Sequence, residues 1–261
     1  MRMALFAFLA LALAPGVTLR YRYPVGQTLR YEVEQSVQVI VKVGDQPARP
    51  TTALQTRTTQ ERRVLSYERG TARVTEHTIR GTTTRTLPMP RMTEVVPDIE
   101  RTYAFDTLGR CLEVKRSAPA GSPTPAPQFL DGLAVPLPQK PVRTGLTWSG
   151  ETTATGPNGQ GTIRLAYSGK VTGAEKRDGR SCIRLEITVR GRFAQAAAAG
   201  APEATGEVQG AIVQLFDPQE GLDRRTQAEL TIVTRGRTTV DDKPVEAVWT
   251  TSLRSTQTLA R

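Results

Sequence analysis

The side chains that could carry out chemistry are few and scattered. His77 is the one histidine, and Glu76 precedes it directly. A zinc site needs several His, Cys or acidic ligands, and a helical metalloprotease motif needs a second His one turn on. The segment Arg73–Arg80 has no such partner and alternates like a strand, so His77 reads as a strand-surface residue. A Ser-His-Asp triad would depend on the same imidazole, and the chain has no Gly-x-Ser-x-Gly elbow. Asp106 and Asp217 recur in similar turns and could meet as a glycosidase pair, but an Asp in such a turn serves first as a cap. The chain therefore reads as non-enzymatic, with no cofactor-binding or metal-binding residue assigned.

Cys111 and Cys182 make an even count, and in an oxidising compartment a disulfide between them is physically allowed. Alternation with Leu112 and Val114, and with Ile183 and Leu185, places each on the polar face of its strand. Nothing in the sequence fixes their separation, so a bridge and two thiols both stay open.

The elements that would position these groups are strands. In Leu29–Val43 the odd positions are mostly apolar and the even ones mostly charged or polar, and Cys182–Arg190 repeats the pattern. Further strands are expected at Leu19–Tyr23, Leu54–Tyr67, Ala72–Leu87, Thr102–Asp106, Cys111–Lys115, Thr147–Ala154, Gly161–Val171, Gly206–Asp217, Leu222–Thr234 and Val245–Leu259. One apolar and one polar face is the mark of antiparallel sheet covered on one side. Polar connections at Glu68–Gly70, Lys176–Gly179 and Val240–Lys243 fit hairpins. The expected fold is all-β: a long-stranded antiparallel meander curled into a half-barrel or open barrel.

Two landmarks recur in order and predict a duplication. Pro24-Val25 followed by Gly26-Gln27-Thr28-Leu29 opens one half, and Pro141-Val142 followed by Gly145-Leu146-Thr147-Trp148 opens the other. Each half then carries an aromatic–Asp turn, Phe105-Asp106 to Gly109 and Phe216-Asp217 to Gly221. In these the Phe should dock inward, the Asp cap the turn and the Gly take a backbone conformation closed to other residues. The halves are 17–116 and 136–261, joined by a Pro/Ala-rich linker over 117–135. Ala194–Thr205 reads as a loop or a single helical turn.

Residues 1–16 read as a signal peptide: Arg2, the apolar run Ala4–Ala14, and small residues at Ala14 and Gly16 before a cut ahead of Val17. The run is too short to be a permanent membrane helix and no lipid-anchor cysteine follows it. The expected location is periplasmic or extracellular, in soluble form, with no transmembrane segment in the mature chain. Polar outward positions argue against an outer-membrane barrel. The net charge is +10, yet lysine holds only six of the 35 basic positions and the arginines are dispersed among Thr, Glu and Gln. That pattern lacks the clustering and interleaved aromatics of a nucleic-acid surface.

The exported start, the Tyr23–Tyr31 opening, its echo at Pro141–Trp148 and the long strands together resemble a group of uncharacterised bacterial exported β-rich proteins. These are similar in layout to the curved-sheet carriers of lipoproteins and lipids in the bacterial envelope. The resemblance implies a lipid or other hydrophobic ligand on the concave face of the sheet and assigns no functional residue. The function expected is thus a non-catalytic exported cell-envelope protein that binds a hydrophobic ligand. The alternative is a structural or scaffolding protein that binds cell-wall polymer or a protein partner.

Overall fold

A computed structural model describes residues 16–87, 92–96, 99–117, 133–155, 162–195 and 203–260. Residues 1–15 of the expected 1–16 signal peptide, most of the linker and residues 196–202 of the Ala-rich stretch lie outside the described residues. The strands are β1 (Thr28–Val43), β2 (Arg49–Glu68), β3 (Thr71–Leu87), β4 (Met92–Val95), β5 (Glu100–Asp106) and β6 (Cys111–Ser117). They continue as β7 (Thr147–Thr155), β8 (Thr162–Arg177), β9 (Arg180–Gln195), β10 (Ala204–Asp217), β11 (Leu222–Val240) and β12 (Lys243–Leu259).

All twelve form one antiparallel sheet in the order β6-β5-β3-β2-β1-β12-β11-β10-β9-β8-β7, with β4 on the edge of β3 beyond β5. The all-β meander expected from the sequence is therefore present, and it curls into a nearly closed barrel. Residues 17–116 and 136–261 contribute to one continuous sheet. The join is made by β1 and β12, which pair from Tyr31 opposite Leu259 to Val43 opposite Ala247. Among the described residues, the ring of strand pairing is broken between β6 and β7.

Two-residue turns set the hairpin registers. Arg69-Gly70, Asp178-Gly179 and Asp241-Asp242 all have positive φ, the geometry that matches the right-handed twist of paired strands. The two aromatic–Asp turns take the form expected of them. Asp106 Oδ1 accepts from the Leu108 and Arg110 amides, both at 2.9 Å. Asp217 Oδ1 accepts from the Gln219 and Glu220 amides at 2.9 and 3.0 Å. Each second oxygen takes an arginine, Arg110 Nε at 2.6 Å and Arg224 Nη2 at 3.0 Å. The half-openings also match in bonding: the Gly26 amide donates to the Val64 carbonyl at 2.9 Å, and the Gly145 amide to that of Val171 at 2.8 Å.

Leu19–Tyr23 departs from the expectation of a ladder strand. Its alternation is strand-like, but it runs as an extended strap inside one end of the barrel. The Tyr21 amide donates to the Thr107 carbonyl and the Arg22 amide to the Gly221 carbonyl, both at 2.9 Å, so neighbouring residues are tied to the two Asp turns. The Val142 amide donates to the Val17 carbonyl at 2.7 Å, which brings a second inner segment, 133–142, alongside. Leu19, Leu137 and Val142 then pack with Leu185, Ile187, Val189 and Phe216 as the main core. Each such side chain contributes about 1.5–3 kcal/mol of apolar burial.

Inward positions near this core include glycines that face large side chains in register: Gly150 with Tyr167, Gly169 with Trp148, Gly191 with Leu165, Gly206 with Phe193 and Gly210 with Leu230. A Cβ at any of the five would strike that partner. Each bare backbone gives a ring or branched chain a flat surface to lie on. It also lets a long strand bend into a closed wall.

Candidate functional site: a polar chamber inside the barrel

Cross-strand partners share a face, so the core residues identify the inward face of every strand. Val64 and Val74 pack inward against Tyr23 and Phe105. Two residues further along β2 and β3, on the same face, stand Arg62 and Glu76, which are paired in register. Arg62 Nε donates to Glu76 Oε2 at 2.8 Å, and Arg101 Nη1 to Glu76 Oε1 at 3.3 Å. The Arg62 guanidinium lies 4.9 Å from the Tyr31 ring centre. With its amide turned to face the guanidinium, the Gln257 oxygen accepts from Arg62 Nη1 and Nη2 at 3.0 and 3.2 Å.

Across the chamber the Tyr21 hydroxyl donates to Asp223 Oδ2 at 2.8 Å. Gln214 Nε2 donates to the Tyr21 oxygen and to Asp223 Oδ1, both at 2.6 Å. Burial pushes the Asp223 carboxyl up to about 6, against the lowering effects of Tyr21, Gln214 and Arg62. Burial and the nearby Asp223 raise the Tyr21 phenol well above its usual range, so Tyr21 remains a donor. Burial likewise pushes the Tyr31 phenol up to about 12, with Arg62 opposing. Burial works most strongly against the Arg62 charge, but Glu76 and the other groups around it together raise its pKa and keep the guanidinium protonated.

This layer is deep in the barrel and yet reached by solvent. The Arg62 side chain is 35% exposed although it points inward, whereas Glu76 beside it is 6% exposed. Further along β1, Gln35 faces inward in register with Thr56 and Ser255 and is exposed. Beyond it come Val37 opposite Leu253 and Val41 opposite Trp249, all half-buried. Leu230 and Ile232 on β11 continue that apolar wall. From Tyr31 to Val41 the strand climbs about 33 Å. The inner face is therefore packed at the strap and along Leu230 and Ile232, and reached by solvent at Arg62, Gln35, Val37 and Val41.

The residues singled out in the sequence lie elsewhere. His77 is on the outward register of β3, opposite Glu61 and Glu100. Asp106 and Asp217 are both committed to their turns. Cys182 takes the outward register expected of it, opposite Glu175, but is fully buried beside the Asp217–Arg224 pair. Cys111 departs from its expected polar face. A bulge at Leu112 puts Cys111 in register with the inward Phe105 and leaves Leu112 57% exposed. The two sulfurs belong to non-adjacent strands and opposite faces, and both are thiols. Arg62, Glu76, Gln214, Asp223 and Gln257 were missed because each looks like an ordinary polar strand residue. The available signal was parity: Arg62 and Glu76 fall in step with the apolar Val64 and Val74.

The outward face carries cross-strand ion pairs, among them Arg30–Glu61, Glu34–Arg57, Arg192–Glu207 and Glu229–Arg254. Such exposed pairs add little stability, but they place charge where a membrane barrel would meet hydrocarbon. Among the described residues, no helix is long and apolar enough to cross a membrane. An open groove of about 590 Å³ lies outside, beside the bulged residue Ile79 and Val95, where Arg57 and Arg80 are already engaged by Glu34 and Glu32. Comparison with protein-family models found no match, and neither did comparison with curated proteins.

Proposed function

We propose that the protein is an exported, non-catalytic carrier that holds a lipid or other hydrophobic ligand in the open part of its barrel. One observation carries this reading: residues on the inner face above the strap stay in contact with solvent, from Arg62 through Gln35 to Val37 and Val41. An apolar wall partly open to water gains free energy when an acyl chain covers it. Export rests on residues 1–16. A cut ahead of Val17 would leave the strap whole, since Val17 already bonds Val142. The matched Asp turns and matched Gly26 and Gly145 openings support a duplicated origin for the two halves. The general likeness to curved-sheet envelope carriers accords with the barrel.

A scaffolding role is the second reading. Its motivation is the set of apolar side chains on the outside, Leu65, Ile79, Leu112 and Val95, at 48%, 45%, 57% and 81% exposure. Native mass spectrometry after gentle purification, with a fluorescent fatty-acid displacement titration, separates the two. Carriage predicts a bound mass or saturable 1:1 displacement. A protein that is ligand-free and ignores the probe would leave scaffolding as the better account.

A further inference from the structure

We propose that the polar floor of the lumen is a head-group site selecting amphiphiles that end in an acid, a carboxylate or a phosphate monoester, bound by Arg62 in place of Gln257. The inference rests on the carrier reading and adds the chemical class of the ligand's polar end.

Arg62 carries the argument. Its Nε is held by Glu76 at 2.8 Å and its face is backed by Tyr31, so the guanidinium plane is fixed before any ligand arrives. The two terminal nitrogens point at Gln257, a neutral acceptor on β12. An acid in that position would make two parallel charge-assisted bonds where the amide makes neutral ones, which is the geometry arginine is suited to. At the inner wall Glu76 accepts from both Arg62 and Arg101. Asp223 faces the chamber from β11, and its two oxygens are taken by Tyr21 and Gln214. The phenols of Tyr21, Tyr23 and Tyr31 close by are all held protonated. With the acid on Arg62, the chain of the ligand would run past Gln35 to the wall of Val37, Leu253 and Trp249. A free acid without a chain would leave that wall uncovered, so the proposal is for an amphiphile.

Calorimetric titration of the intact protein with decanoate, decyl phosphate, decanol and decyltrimethylammonium at pH 7.5 tests this. One or both acids should bind at least tenfold more tightly than the alcohol, and the ammonium more weakly than either; the tighter acid names the head group. Gln257→Glu places a carboxylate on Arg62 permanently. It should cost the acids at least tenfold while leaving decanol unchanged, and it does not strip Arg62 of a partner. Arg62→Gln should bring the acids down to the affinity of the alcohol. Equal affinity for acid and alcohol, or acid binding untouched by Gln257→Glu, would overturn the head-group site while leaving carriage intact. Binding of none of the four compounds would remove the carrier reading and this inference with it.

Discussion

Replacing Asp223 with Asn removes one proton-binding group from the chamber and little else. The carboxyl is pushed up to about 6 in the fold, against 3.8 in the free side chain, chiefly because burial disfavours its charge. The folded protein therefore holds this proton more tightly than the unfolded chain does. Stability from this group is highest below pH 3.8, falls as pH rises through the interval up to 6, and is fully lost above it. At about 1.4 kcal/mol per pH unit, the interval corresponds to roughly 3 kcal/mol. Water in the lumen screens part of the effect, so about 1–2 kcal/mol is expected. Asn keeps an oxygen for the Tyr21 hydroxyl, and Gln214 can turn its amide to meet the new N–H. Urea denaturation at pH 7.5 and pH 5 of wild type and Asp223→Asn isolates the contribution, since other titrating groups act on both proteins alike. Wild type should gain about 0.5–1 kcal/mol more than the variant on going to pH 5, because only the part of the interval between about 6 and 5 is crossed. Equal changes in the two proteins would show that Asp223 titrates like an exposed carboxylate, and the buried chamber floor would have to be abandoned.

Other perturbations probe the remaining contacts. Glu76→Gln takes from Arg62 and Arg101 the carboxylate they share. It should cost about 3 kcal/mol in the same denaturation assay, at the low end for a buried ion pair because Arg62 is partly solvated. Gly169→Ala drives a methyl into the Trp148 ring, which also gives up its bond to the Pro136 carbonyl. A loss of about 1–3 kcal/mol and a shifted Trp148 emission should follow. Denatured protein without reductant should titrate two thiols. In the folded state Cys182 should react far more slowly than Cys111, because burial holds its thiol up to about 11.

Much of the wall was legible in the sequence because strand period is local. The alternation in Leu29–Val43 and Cys182–Arg190 marks inward and outward faces directly, and the Asp106 and Asp217 turns advertise their geometry in four or five residues. Closure was not legible. The pairing of β1 with β12 joins residues more than two hundred positions apart, and no local pattern records it. Bulges hid a second layer of information. One extra residue at Leu112 reverses the parity on which the reading of Cys111 depended, and another at Leu65 turns an apolar side chain outward. Leu19–Tyr23 shows the limit of periodicity, since a strap bonded to two turns and a strand bonded to a neighbour need the same alternation. The chamber floor draws on β1, β2, β3, β5, β10, β11 and β12 together with the strap, so its residues are neighbours only once the barrel has formed.

The open lumen is tested most directly by quenching of single tryptophans with a spin-labelled fatty acid. Trp249 lies on the inner wall, its ring against Gly236, whereas Trp148 is packed beneath the 133–142 segment. In a Trp148→Phe protein, which retains Trp249, a fatty acid labelled along its chain should quench the emission saturably with 1:1 stoichiometry. In a Trp249→Phe protein the Trp148 emission should be quenched much less. Saturable quenching of neither tryptophan, or of Trp148 alone, would contradict a ligand seated along this wall.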